Sequence, residues 1–112
     1  MRRGEVWWAD LNEARASEPG FRRPVAIVQA DAFNRSRIPT IVCVVLTSNL
    51  RLADAPGSVV IPKSESGLPK DSVANMSQIV TIDRSALTER VRKLPSRLRE
   101  RIDRGLRMVL EL

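Results

Sequence analysis

The 112-residue sequence has no histidine, no tyrosine and a single cysteine, Cys43. Without histidine there is no imidazole general acid or base. With one cysteine there is no intrachain disulfide and no ordinary His/Cys zinc site. Glycine is scarce, at five residues, and no phosphate-cradling glycine loop, HExxH or DxD pair is present. Long apolar runs are also missing. Ile41–Leu46 is among the longest, far short of the ~18 residues that would span a membrane. The opening MRRGEVWWADL carries two arginines, but a glutamate and an aspartate interrupt its short apolar run, so it makes a poor secretion signal. The expectation is a cytoplasmic protein with no membrane association, no metal and no cofactor. Any chemistry must come from Arg, Lys, Asp, Glu, Ser, Thr, Gln, Asn or the backbone.

Lysine and arginine total 19 against 13 acidic residues, a net charge of +6, and 16 of those cations are arginine. Arginine excess fits an anionic partner, because the guanidinium fork matches phosphate oxygens in pairs. Arginine-rich surfaces also serve solubility alone. Hydrophobic residues make up 43%, enough for one modest core, so residues 1–112 read as a single domain.

Patterning gives mostly strands. Glu5–Leu11, Arg23–Gln29 and Thr40–Ser48 read as the first three, the last two apolar on both faces as buried central strands are. Asn12–Arg22 and Asn49–Gly57 read as polar loops, and Asp31–Pro39 as a connection with one helical turn. Gly57–Pro62, Asp71–Met76 and Gln78–Asp83 follow as short strands, with a turn region at Lys63–Lys70. Asp83–Glu89 has room for a helical turn, and Arg90–Lys93 for an edge strand. Ser96–Leu112 is the one strong helix, with Leu98, Ile102, Leu106, Val109 and Leu110 on one stripe and Arg97, Arg101 and Arg104 opposite. The predicted class is mainly β with α+β character: a small, strongly bent, half-open antiparallel barrel with a C-terminal amphipathic helix.

If RPVAIVQ and IVCVVLT pair antiparallel about a loop near Arg35, Arg23 falls opposite Thr47. Opposed residues share a face with Cβ atoms ~5 Å apart. A guanidinium and a hydroxyl at one strand end can grip and polarise a phosphate. Pro24 biases Arg23 towards extended backbone. Separately, Arg23 fits a surface ion pair and Thr47 a strand terminus. Ser17 and Glu18 (SEPG) suit turn chemistry and a functional loop equally. Asn34, Asn75 and Gln78 carry amides that can read base edges or end strands. Trp7 and Trp8 point to opposite faces of a strand. One belongs in the core, and the other suits interface or core packing better than base stacking. Cys43 reads as a small core residue.

Taken in order, RRGEVWWADL, SEPGFRRPVAIVQ, VVLTSN and DSVANMSQIVTIDRSALTERV, followed by an amphipathic helix, resemble the MazF/PemK toxins, the ribonuclease halves of type II toxin–antitoxin pairs. The likeness runs through nearly the whole chain. It implies an SH3-like or plasmid-toxin-type barrel that forms a homodimer. It also implies sequence-specific, metal-independent cleavage of single-stranded RNA to 2′,3′-cyclic phosphate and 5′-hydroxyl ends. By the same resemblance Arg23 and Thr47 are the catalytic pair, and Ser17, Glu18 and Gln78 contact RNA. A small antitoxin with an acidic tail is the implied partner, and promoter DNA is bound only by the toxin–antitoxin complex. Absence of histidine fits this chemistry, since cyclising cleavage can be driven by alignment of the 2′-hydroxyl and stabilisation of the phosphorane. Two other readings stay open. One is a protein-directed toxin of the gyrase-poison kind on the same scaffold, though such relatives end in a tryptophan and this chain ends in Leu112. The other is a non-catalytic RNA-binding barrel.

Overall fold

The computed structural model of the chain describes residues 1–11 and 21–112. Six strands form one antiparallel sheet: β1 (Glu5–Asp10), β2 (Arg22–Ile27), β3 (Thr40–Thr47), β4 (Val59–Ile61), β5 (Ser72–Asp83) and β6 (Leu87–Lys93). Single helical turns α1 (Asp31–Asn34) and α2 (Lys63–Ser66) punctuate them, and α3 (Ser96–Leu110) closes the described chain. The sheet order is β4-β5-β3-β2-β1-β6. Only the 3₁₀ turn Arg84–Ala86 links β5 to β6, yet β3, β2 and β1 lie between those strands in the sheet. So short a link forces the sheet to curl until the end of β5 meets the start of β6. The result is the expected half-open barrel in an α+β fold.

Alternation gives the curled sheet two apolar faces. Val6, Ala26, Val44 and Leu46 pack on one side with Met76, Leu94, and Leu98 and Ile102 of α3. Ala9, Val25, Ile27, Ile41, Cys43 and Leu87 fill the other. This two-sided burial explains why β2 and β3 read as continuous apolar runs. The adjacent tryptophans divide accordingly, Trp8 half-buried against the first cluster and Trp7 half-buried against the second. Cys43 is fully buried, and burial pushes its thiol up to about 12. It is an inert core residue.

Most elements lie where the pattern placed them. The exceptions have local causes. Asp71–Met76 and Gln78–Asp83 are one strand, β5, interrupted by a bulge rather than a turn. The edge strand β6 starts at Leu87, three residues earlier than its charge pattern suggested, because Leu87 packs into the second cluster. The stripe on α3 is buried only at Leu98 and Ile102, while Val109 and Leu110 are exposed. Among the described residues no helix is long and apolar enough to cross a membrane.

Two interactions hold the helix and the first strand in place. Gly105 of α3 sits against the Gly57 carbonyl, and a Cβ there would come well inside contact distance of that oxygen and of Met76. Glu5 is buried and accepts from Arg90 Nε at 2.7 Å, the Arg2 backbone N–H at 2.8 Å and Trp7 Nε1 at 3.1 Å. Burial works to raise its pKa, but the donors led by Arg90 prevail and hold the carboxyl below its ordinary 4.5.

Gly105→Ala gains about 1 kcal/mol of helix propensity but overpacks a backbone contact, which costs about 1–3 kcal/mol. The expected net loss, read as a lower urea midpoint, contrasts with no loss for Arg104→Ala on the exposed face. The Glu5 carboxylate is favoured in the folded state. Its contribution is complete above pH ~4.5 and is lost as pH falls through the depressed folded-state value. Urea unfolding across pH 3–6 should therefore show an acid-side loss that Glu5→Gln flattens.

Candidate phosphodiester site

β2 and β3 pair Val25 with Val45, Ala26 with Val44 and Ile27 with Cys43. Continued to the strand ends, this register sets Arg23 opposite Thr47, as the apolar runs predicted. Both residues line one cavity of about 420 Å³ on the second apolar face. Gln78 lines it too, over walls of Leu11, Val45 and Val80. Three of the seven candidate residues therefore converge.

Each is positioned by local chemistry. Arg22 and Arg23 alternate across β2. Arg22 lies 4.4 Å over the Trp8 ring and pairs with Glu89 at 2.7 Å. Arg23 faces the cavity, its guanidinium 4.4 Å over the Phe21 ring, and no carboxylate among the described residues pairs with it. The Thr47 hydroxyl oxygen accepts from the Asn49 N–H at 3.1 Å, so its proton remains available to donate outward. Asn49 in turn accepts from the Arg51 N–H at 3.2 Å, starting the 3₁₀ turn Leu50–Asp54 that brings Leu52 to the cavity wall.

Gln78 arrives by the bulge. The β3–β5 register jumps from Val44–Ile79 to Leu46–Ala74. Residues 75–78 are thus left opposite Val45, and the strand bends. Asn75 Oδ1 fixes the bend, accepting from the Ser77 N–H at 3.1 Å and from Ser77 Oγ at 2.6 Å. Asn75 itself is buried and does not line the cavity. Its oxygen braces the bend that carries Gln78.

Asn34 stands apart from the cavity. It lies beyond the far end of β2, and its buried amide donates to Gln29 O at 2.9 Å and Asp31 Oδ1 at 3.1 Å while accepting from Gln29 Nε2 at 3.0 Å. No edge is left for a base. Ser17 and Glu18 lie outside the described residues. The pattern missed Phe21, although its i, i+2 spacing from Arg23 on an extended segment signals a shared face. Nothing local signalled Leu52. Among the described residues no group of three or more His, Cys, Asp or Glu could hold a metal ion.

Comparison with known proteins shows the family. Residues 2–110 match the family model described as "PemK-like, MazF-like toxin of type II toxin-antitoxin system". The chain is 46% identical over 110 residues to Mycobacterium tuberculosis "Endoribonuclease MazF6", covering 98% of this chain and 96% of that one. It is 35% identical over 112 residues to Bacillus subtilis "Endoribonuclease EndoA", covering 100% and 96%. Its fold superposes with a TM-score of 0.82, at 25% identity and covering 100% and 96%, on an "Endoribonuclease in complex with its cognate antitoxin from Mycobacterial species".

Asn75→Ala removes an acceptor of two hydrogen bonds, so a stability loss of about 1–2 kcal/mol is expected. Chemical denaturation checks this. Gln78→Ala, on an exposed side chain, should leave the midpoint unchanged.

Proposed function

The chain belongs to the PemK-like, MazF-like toxins of type II toxin–antitoxin systems, and from this premise we propose that it is a metal-independent endoribonuclease that cuts single-stranded RNA at a short sequence. The observation that carries the proposal is the convergence of Arg23, Thr47 and Gln78 on one cavity.

The reaction asks for little beyond alignment and charge. The RNA 2′-oxygen attacks phosphorus, the bond to the 5′-oxygen breaks, and a 2′,3′-cyclic phosphate and a 5′-hydroxyl remain. Negative charge grows on the non-bridging oxygens. Arg23 supplies a fixed positive fork to them, and Thr47 donates its hydroxyl proton as a hydrogen bond. Because arginine's pKa exceeds ~12, Arg23 acts chiefly by stabilising the phosphorane, not by giving up a proton. Gln78 holds a base edge or the sugar beside the cut. The cavity lining among the described residues includes no carboxylate. The base that takes the 2′-proton is assigned to Glu18, in the segment that connects two lining residues, Leu11 and Phe21. Ser17, beside it, joins the RNA contacts. Water returns a proton to the departing 5′-oxygen.

The same surface suits the partners. A small antitoxin with an acidic tail would neutralise Arg23 and the +6 net charge, and the complex, not the toxin alone, would bind promoter DNA. The apolar end of α3, where Met108, Leu110 and Leu112 are exposed beside a groove over Val28 and Ile79, supports a homodimer. The cytoplasm, where RNA is made and translated, is the site of action.

Arg23→Ala should lower the cleavage rate by ~10²–10³, the usual loss for one preorganised donor. Arg23→Lys should recover only part of it, having the charge without the fork. Wild-type cleavage should persist in excess EDTA and give 5′-hydroxyl ends. Loss of activity in EDTA with recovery on adding magnesium would refute the mechanism.

A further inference from the structure

Where β5 runs into β6, a larger cavity of about 720 Å³ adjoins the first and shares Leu11 and Val80 with it. Its chemistry is the reverse. In a chain with 19 lysines and arginines, none lines it among the described residues. Its polar groups are the carboxylates of Asp10 and Asp83 and the hydroxyls of Thr40, Thr81, Ser85 and Thr88. A phosphate would be repelled here. A base edge carrying N–H donors would be satisfied.

Asp83 is the group best placed to do this. It stands at the N-cap of the Arg84–Ala86 turn, where aspartate usually caps, yet its side chain makes no cap hydrogen bond. Among the described residues no ion pair or other hydrogen bond occupies its carboxylate. Arg84, the adjacent cation, is turned away and donates to Asn34 O at 2.7 Å and Phe33 O at 2.8 Å. The Asp83 side chain is exposed and water solvates its oxygens until a donor displaces it, beside a cavity that continues the apolar floor of the cleavage site. The described residues group too few carboxylates to hold a metal ion. Single-stranded RNA presents its Watson–Crick edges freely, as such a subsite needs.

We propose that this second cavity binds the base of a nucleotide flanking the scissile phosphate, and that Asp83 accepts from that base's exocyclic amine, selecting guanine, cytosine or adenine over uracil. The inference rests on the ribonuclease reading and adds a specificity determinant to it.

The test digests an RNA pool, randomised on both sides of the cut, with wild-type protein and with Asp83→Asn, and sequences the 5′-hydroxyl ends. Wild type should favour an amine-bearing base over uracil at one flanking position by about tenfold or more. Asp83→Asn should reduce that ratio to within about threefold and leave the rest of the recognised word unchanged. In a second arm, the favoured base is replaced by its counterpart lacking the amine: inosine for guanosine, uridine for cytidine, or purine riboside for adenosine. Wild type should slow by the same factor, and Asp83→Asn should not discriminate. An unchanged ratio in folded Asp83→Asn overturns the proposal. So does indifference of wild type to the analogues, which decides the matter even if the variant does not fold. A variant altered only in spermidine binding marks an amine site instead and also overturns it. Wild type that generates no RNA ends defeats the ribonuclease reading itself, whereas wild type that cuts without amine preference defeats only this inference.

Discussion

The three-residue link between β5 and β6 is the constraint from which the rest follows. These strands are separated by β3, β2 and β1 in the sheet, so the link can close only if the sheet curls. Curling turns one apolar face inward around Val25, Ile27, Ile41 and Cys43 and leaves Leu11, Val45 and Val80 as the floor of an open groove. The other face is sealed by α3 through Leu98 and Ile102. A flat sheet from the same strands would part β5 from β1 and β6 and open both cavities.

Charge is distributed unevenly on this frame. Many of the arginines serve structure. Arg90 ties Glu5, Arg3 ties Asp103, Arg22 ties Glu89 and Arg97 ties Glu65, while Arg84 binds backbone carbonyls. Except for buried Glu5, these side chains are partly exposed, so those pairs are individually weak, but together they fix orientation. Arg23 sits over a ring as Arg22 does, but unlike Arg22 it has no carboxylate partner among the described residues. A cation with no carboxylate partner among the described residues, on an apolar floor, is ready for a phosphate. The apolar floor lowers the local dielectric, which strengthens the fork's hold on developing charge.

Much of this was legible in the sequence. The continuous apolar runs marked β2 and β3, and pairing them about a loop near Arg35, the register the structure shows, set Arg23 opposite Thr47. The stripe on α3 was equally plain. What was not legible shares one origin, in that polar side chains are ambiguous until their neighbours are known. Asn34, Asn75 and Gln78 looked alike as amides. Burial made Asn34 a local brace, a bulge made Asn75 a support, and the same bulge delivered Gln78 to the cavity. Ser77 read as a break between two strands, and whether such a break is a turn or a bulge depends on its partner strand. Asp83 read as a strand end, because an unspent carboxylate is visible only when its missing partners can be counted in space.

The central claim is that Arg23 and Thr47 hold one scissile phosphate between them. A crystal structure of the wild-type protein with an RNA carrying a single 2′-deoxy nucleotide at the cleavage position tests this most directly. The prediction is that non-bridging oxygens of that phosphate lie ~3 Å from the Arg23 guanidinium and from Thr47 Oγ1. A bound RNA whose uncleaved phosphate contacts neither side chain would contradict it.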